Sequence, residues 1–127
     1  MVKNFLKVIC FDLDNVICKT KNSDYKNSKP INSSIKVINR LYDKGLFIKI
    51  FTARFMGRNN DNVNKSIKMG YKLTQNQLKK WKVKYHRLIM GKPSYDLFVD
   101  DKNFGFNKNW HKKIESSIKD IEKNHEL

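Results

Sequence analysis

The chain has 127 residues, enough for one domain with a real core (1–127) and too few for a second. Its 39% hydrophobic and 31% charged residues describe a globular protein. No apolar run approaches the roughly 20 residues of a membrane helix, and Lys3, Lys7 and Asp12 interrupt any secretory core, so a cytoplasmic protein with no membrane partner is expected. Two cysteines, Cys10 and Cys18, fit a reduced compartment without a disulfide framework. The net charge of +15 would ordinarily suggest an anionic polymer as partner, but 23 Lys stand against only 4 Arg and accompany 15 Asn. AT-rich coding produces that pairing without any binding role. Base readout and bidentate phosphate clamps favour the scarce Arg, so the balance argues against a dedicated nucleic-acid partner.

In chain order, an apolar strand over about Lys7 to Asp12 opens the chain, and a polar stretch over 19–30 reads as a mobile flap. A helix begins near Asn32 or Ser33, either a suitable cap, carries Ile35, Ile38, Leu41 and Tyr42 on one face, and stops at Gly45. Leu46 to Phe51 is a second buried strand ending in Thr52. A short helix over about 62–69 ends at Gly70, and Thr74 caps another that carries Leu78 and Trp81. Asp96 to Val99 is read as a third central strand, and a last helix places Trp110, Ile114, Ile118 and Ile121 on one apolar stripe. Strands alternating with amphipathic helices predict an α/β fold: a three-layer, Rossmann-like parallel sheet with helices on both faces.

The chemistry gathers at the strand ends, where an open α/β sheet binds its ligands. Asp12 and Asp14 leave the first strand two positions apart. Carboxylates about 4 Å apart repel by ~4 kcal/mol at an effective dielectric of ~20, unless a cation or shared proton intervenes. Thr52 ends the second strand, Lys92 sits in Gly-Lys-Pro, and Asp100 and Asp101 follow the third. Phosphoryl transfer requires an attacking oxygen, a proton donor for the leaving group and positive charge around three equatorial oxygens. Asp12 can attack, Asp14 can shuttle the proton, Thr52 and Lys92 can hold phosphate oxygens, and Asp100 can help bind magnesium. Arg54 suits either a substrate phosphate or an ion pair with an acid. His86, His111 and His125 have no ligand spacing and read as surface residues, and Trp81, Tyr85 and Trp110 read as core.

At these residues the chain resembles the haloacid dehalogenase superfamily of phosphohydrolases. Phe11-Asp12-Leu13-Asp14-Asn15-Val16 is similar to the family's first motif, Ile48-Lys49-Ile50-Phe51-Thr52 to its second, Lys92 to its third and Asp100-Asp101 to its fourth. The resemblance implies that Asp12 is the nucleophile forming an aspartyl-phosphate and Asp14 the general acid and base. It implies a Mg2+ ion held by Asp12, the Asp14 carbonyl and Asp100, with Asp101 in the outer shell. Only 37 residues separate Asp14 from Thr52 and 39 separate Thr52 from Lys92, so neither gap holds a cap domain. Phe51-Thr52-Ala53-Arg54 and Gly91-Lys92-Pro93-Ser94-Tyr95-Asp96 look like the small capless members found among bacterial capsule and surface polysaccharide biosynthesis proteins.

The resemblance implies a small phosphate ester as substrate, a sugar or amino-alcohol phosphate. A nucleotide or nucleic-acid 3′-phosphate is the alternative that the charge suggests, and a catalytically silent interaction domain of the same fold is the non-enzyme alternative. A receiver domain, which also uses an acid pair, Asp, Thr and Lys, is disfavoured by order, because here Asp-x-Asp comes first and Asp-Asp last. Without a cap, closure over the site has to come from the flap, the substrate or a neighbouring subunit, which points to a homo-oligomer.

Overall fold

A computed structural model describes residues 7–126, with side chains described through residue 120. The chain forms β1 (Val8–Phe11), β2 (Cys18–Lys19), β3 (Lys29–Pro30), α1 (Asn32–Asp43), β4 (Phe47–Thr52), α2 (Val63–Lys80), β5 (Arg87–Met90) and α3 (Trp110–Glu126). The main sheet has the order β1-β4-β5 and is parallel throughout, with Ile9 opposite Ile48, Phe11 opposite Ile50, and Thr52 opposite Met90. β2 and β3 form a separate antiparallel pair. The protein is thus an α/β protein with a parallel sheet flanked by helices, a Rossmann-like arrangement.

Strand alternation decides which sheet face is core. Phe11, Ile48, Ile50, Thr52, Leu88 and Met90 share one face and are all buried. Each such aliphatic side chain contributes about 1.5–3 kcal/mol when fully withdrawn from water. Ile35, Ile38 and Leu41 of α1, Leu78 of α2, and Trp110, Ile114 and Ile118 of α3 join the same cluster. The steps from β1 to β4 to β5 run in one direction, and right-handed crossovers then place both connecting helices on one face. The opposite face carries Val8, Cys10 and Arg87, all exposed.

Several elements differ from the sequence reading. Asp96 to Val99 is not a strand; the third strand is Arg87–Met90, which pairs with β4. Both runs are short and apolar, and only non-local pairing separates them. The two expected helices around Gly70 are one continuous α2, with Asn62 as N-cap accepting from the Lys65 N–H at 3.0 Å. Gly70 does not end the helix: it makes room for the Phe55 ring, with which an added Cβ would collide. Ile31, and not Asn32 or Ser33, occupies the N-cap of α1. Ile121 lies beyond the described side chains, whereas the other three residues of its stripe are buried. The stretch over 19–30 is not a plain loop: it contains a 3-10 turn at Tyr25–Asn27 and the β2–β3 pair.

Candidate active site

The strands β1, β4 and β5 all end at the carboxyl edge of the sheet. After β1 the chain turns sharply, the N–H groups of Val16, Ile17 and Cys18 all approaching the Leu13 carbonyl, at 3.2, 2.8 and 3.3 Å. Asn15 takes a left-handed conformation (φ 66°) within this turn, a region asparagine tolerates better than most residues. Phe55, directly after Arg54, is also left-handed (φ 65°), which is a strained state for a bulky side chain. Its carbonyl accepts from Asn59 Nδ2 at 2.7 Å and Ser66 Oγ at 3.1 Å, and its ring packs against Tyr25 and Gly70. Local strain is thus stored immediately after Arg54 and held by α2.

Asp14 is bound from several directions. The Arg54 guanidinium, whose side chain is 0% exposed, donates from Nε to both carboxylate oxygens at 3.1 and 3.0 Å and from Nη2 to Oδ1 at 2.9 Å. Thr20 Oγ1 donates to Oδ1 at 2.6 Å. Arg54 is itself fixed by Thr74, Gln77 and Ser28, and Tyr25 lies beneath its guanidinium, 5.0 Å from ring centre to Cζ. Gln77 in turn donates to the Tyr25 carbonyl at 2.6 Å, tying the 19–30 stretch to α2. Of the two roles open to Arg54, this geometry is the ion pair with an acid. Thr20, Ser28, Tyr25, Thr74 and Gln77 were not singled out from the sequence, because nothing local distinguishes polar residues that converge from the 19–30 stretch and from α2.

Asp12 faces Lys92, whose Nζ lies 3.6 Å from Oδ2, while Oδ1 accepts the Leu13 N–H at 2.8 Å. Burial pushes the Asp12 pKa above the ordinary carboxylate range, and Lys92 opposes that shift. Burial depresses the Lys92 pKa, but hydrogen bonding with Tyr95 and the charge of Asp12 more than offset it, so the net shift is upward. Lys92 also lies over the rings of Tyr95 and Phe98, at 5.2 and 5.1 Å. Gly91 takes φ 96° against the Val63 side chain, a turn that favours glycine and sets Lys92 pointing back to the sheet, where its N–H donates to the Thr52 carbonyl at 3.2 Å. Thr52 is fully buried, and its Oγ1 accepts the Arg54 N–H at 3.1 Å. The Cys18 thiol, beside Asp14, is pushed up to about 11 by burial and by that carboxylate, so it stays protonated and inert.

Asp12, Asp14, Thr52, Arg54 and Lys92 therefore meet at one edge. Asp100 and Asp101 do not join them. Both are exposed; the Asp100 carboxylate accepts the Lys102 N–H at 2.9 Å and its carbonyl the Asn103 N–H at 3.3 Å, and the bonds from Lys102 and Asp101 lower its pKa. Among the described residues, no three His, Cys, Asp or Glu side chains gather closely enough to hold a metal ion. No helix among them is long and apolar enough to cross a membrane.

Fold and site define a Rossmann-like α/β protein with an acid pair, a threonine and a lysine at adjoining strand ends. No family model and no curated protein matches the chain. Among solved structures, a structural-genomics target from Vibrio cholerae is 26% identical with a TM-score of 0.79, covering 94% of this chain and 98% of its own. A chain of the Pnkp1/Rnl/Hen1 RNA repair complex is 14% identical with a TM-score of 0.47, over 87% of this chain and 31% of its own. The D,D-heptose 1.7-bisphosphate phosphatase of B. bronchiseptica, crystallised with magnesium and phosphate, is 14% identical with a TM-score of 0.48, over 95% of this chain and 64% of its own. The Vibrio likeness runs the length of both chains and bears on the fold; the other two are too distant to carry chemistry across.

Proposed function

We propose that this protein is a phosphomonoesterase of the haloacid dehalogenase type, working through an aspartyl-phosphate on Asp12. The observation that supports it most is the pairing of Asp12 with Lys92 at the carboxyl edge, beside Thr52 and the Asp14–Arg54 pair. A phosphate monoester entering there meets a carboxylate to attack it and an ammonium to neutralise its oxygens. An Asp12 oxygen bonds to phosphorus as the ester P–O bond breaks, and the departing alkoxide takes a proton from Asp14. Water then gives a proton to Asp14 as its oxygen attacks the phosphorus. The Asp12–phosphorus bond breaks, inorganic phosphate leaves, and the carboxylate is regenerated.

Asp14 Oδ2 accepts from Arg54 alone, whereas Oδ1 carries three further contacts, so Oδ2 is the oxygen able to carry the proton. Arg54 acts as a positioning residue that aims it. Among the described residues, the acids that the resemblance assigns to Mg2+ do not all gather at one place: Asp12 and Asp14 lie at the edge, and Asp100 and Asp101 do not.

The substrate we propose is a small sugar or amino-alcohol phosphate of surface polysaccharide synthesis. The charge of +15 favours a second reading, a nucleotide or nucleic-acid 3′-phosphate. A panel of phosphate esters, assayed with magnesium at low and physiological salt, separates the two: turnover of a nucleic-acid end falls steeply with salt, and that of a small metabolite does not. Asp12→Asn is expected to form no phosphoenzyme. Asp14→Asn loses about 10² to 10⁴ in rate, most with poor leaving groups. Near wild-type turnover in Asp12→Asn would overturn the mechanism, and no hydrolysis of any ester by the wild type would leave the silent interaction domain.

A further inference from the structure

All 12 acidic residues of the chain lie outside residues 62–95. That stretch holds nine basic residues, eight Lys and Arg87, between Asp61 and Asp96. AT-rich coding raises lysine along the whole chain, but it does not clear aspartate and glutamate from one continuous stretch. Of the nine cations, only Lys84 and Lys92 reach an acid among the described residues, Asp43 at 2.8 Å and Asp12 at 3.6 Å. The stretch folds as α2, the loop after it and β5, which pack on one another, so its charge stays together in space.

Where α2 meets the start of β5 the surface is hollowed. Two cavities of about 460 and 410 Å³ adjoin there, with Gln75 and Tyr85 in the walls of both. Tyr71, Gln75 and Tyr85 are half-buried and line the hollow, while Lys72, Lys79 and Arg87 stand exposed around it. None of these three cations is in an ion pair among the described residues. Lys72 and Lys79 lie about 10 Å apart along α2, on the same side of the helix. Lys68, four residues before Lys72, adds a like charge that repels it, so the helix itself gains nothing from the arrangement. Burial, with Tyr71 nearby, holds the Tyr85 phenol above its usual pKa, and the hydroxyl remains a donor. Arg87 opens β5, whereas Asp12, Thr52 and Lys92 stand at the carboxyl edge, so the hollow is a second place on the molecule.

What accompanies the charge decides which anion fits. Cations spread over about 10 Å, with two tyrosines and an amide between them, match a chain of phosphates that carries planar rings better than a single compact anion. Base-specific readout favours arginine, which is scarce here. Sequence-independent attraction to a phosphate backbone needs only positive charge, and a tyrosine ring stacks on any base. We propose that the hollow between α2 and β5 binds single-stranded nucleic acid without sequence preference, Lys72, Lys79 and Arg87 on phosphates and Tyr71 and Tyr85 against bases. This binding is independent of the phosphatase reading, because neither Asp12 nor Lys92 takes part.

Fluorescence anisotropy of a labelled oligothymidine of about 12 nucleotides, without a terminal phosphomonoester and in chelator, tests it on the full chain. The wild type is expected to bind at about 50 mM salt, with log Kd rising against log salt at a slope of about 2, as three phosphate contacts on a single strand require. Lys72→Gln/Lys79→Gln/Arg87→Gln is expected to lose about tenfold or more in affinity and most of that slope. Lys112→Gln/Lys113→Gln/Lys119→Gln, the same charge change on exposed residues of α3, should stay within about threefold of wild type. Tyr71→Leu, or Tyr85→Leu should the first variant not fold, is expected to cost about fivefold or more, and so is an abasic strand of the same length. Equal losses in the two lysine sets would reduce the attraction to net charge, and equal binding of the abasic strand would remove the bases from it. Either result overturns the proposal, as does an absence of binding at about 50 mM salt or full displacement of the strand by a small phosphate ester. If the strand binds as expected and the wild type hydrolyses no ester, the hollow stands and the phosphatase reading alone has failed.

Discussion

The turn after β1 and the arm after β5 each carry two acids past a parallel strand, yet the fold treats them oppositely. Asp14 is held by a fully buried guanidinium, a threonine and a tight main-chain turn, whereas Asp100 is bonded only within its own exposed loop. The difference lies in what each acid has beside it. The first turn lies against α2 and the β2–β3 pair, which deliver Thr74, Gln77, Tyr25 and Ser28 to Arg54. The segment after β5 touches its own chain through Tyr95 and Phe98 beneath Lys92, and its acids beyond them are exposed. One acid pair is enclosed by the fold, and the other is left in an exposed segment.

The sharpest way to break this contrast is to remove Arg54. Arg54→Met leaves the Asp14 carboxylate, 20% exposed, without its main partner, and is expected to cost about 3–5 kcal/mol in denaturant unfolding. Adding Asp14→Asn should restore much of that loss. Asp100→Asn, in the exposed arm, should leave the unfolding midpoint unmoved when measured in chelator. Equal losses for Arg54→Met and Asp100→Asn would erase the distinction between the two regions.

Gly70→Ala probes the support beneath the first site. An added methyl meets the Phe55 ring, and overpacking of this kind costs about 1–3 kcal/mol. Because Phe55 follows Arg54 in a strained conformation, the variant is also expected to lower kcat more than it raises KM. Steady-state kinetics beside a thermal melt would separate the two effects; a melt change with unaltered kcat would show that Phe55 does not position the site.

The smallest effect concerns pH. Burial raises the Asp12 pKa in the folded protein, so the native state holds its proton to higher pH than the unfolded chain does. Stability from this group is therefore greatest below the ordinary carboxylate pKa of about 4 and declines as pH rises through the raised value. In chelator, Asp12→Asn should melt higher than wild type at neutral pH, with the gap closing toward pH ~3.5. A gap that widens on acidification would mean that Lys92 outweighs burial.

Much of the first site was legible because its signals are local. An apolar strand ending in Asp-x-Asp and another ending in Thr need only a few consecutive residues, and the stripes of α1 and α3 follow from helical period alone. That Arg54 pairs with an acid was one of two readings left open; which acid it meets, and the partners that fix it, were not legible, since they stand 20 to 40 positions away in sequence. The same limit explains the strand that moved. Arg87–Met90 and Asp96–Val99 are equally short and apolar, and only pairing with Thr52 and its neighbours selects the first.

By itself, then, the sequence determined the class of fold, the ends of β1 and β4 and the acid pair that follows β1, because periodicity and strand composition act over one or two turns of chain. Tertiary structure decided that α2 runs unbroken through Gly70, where the Phe55 ring takes the space of a side chain. It decided that Arg54 closes on Asp14 and that the last acid pair stays outside the site. Each of these depends on which distant surfaces meet, and those contacts join residues tens of positions apart in sequence.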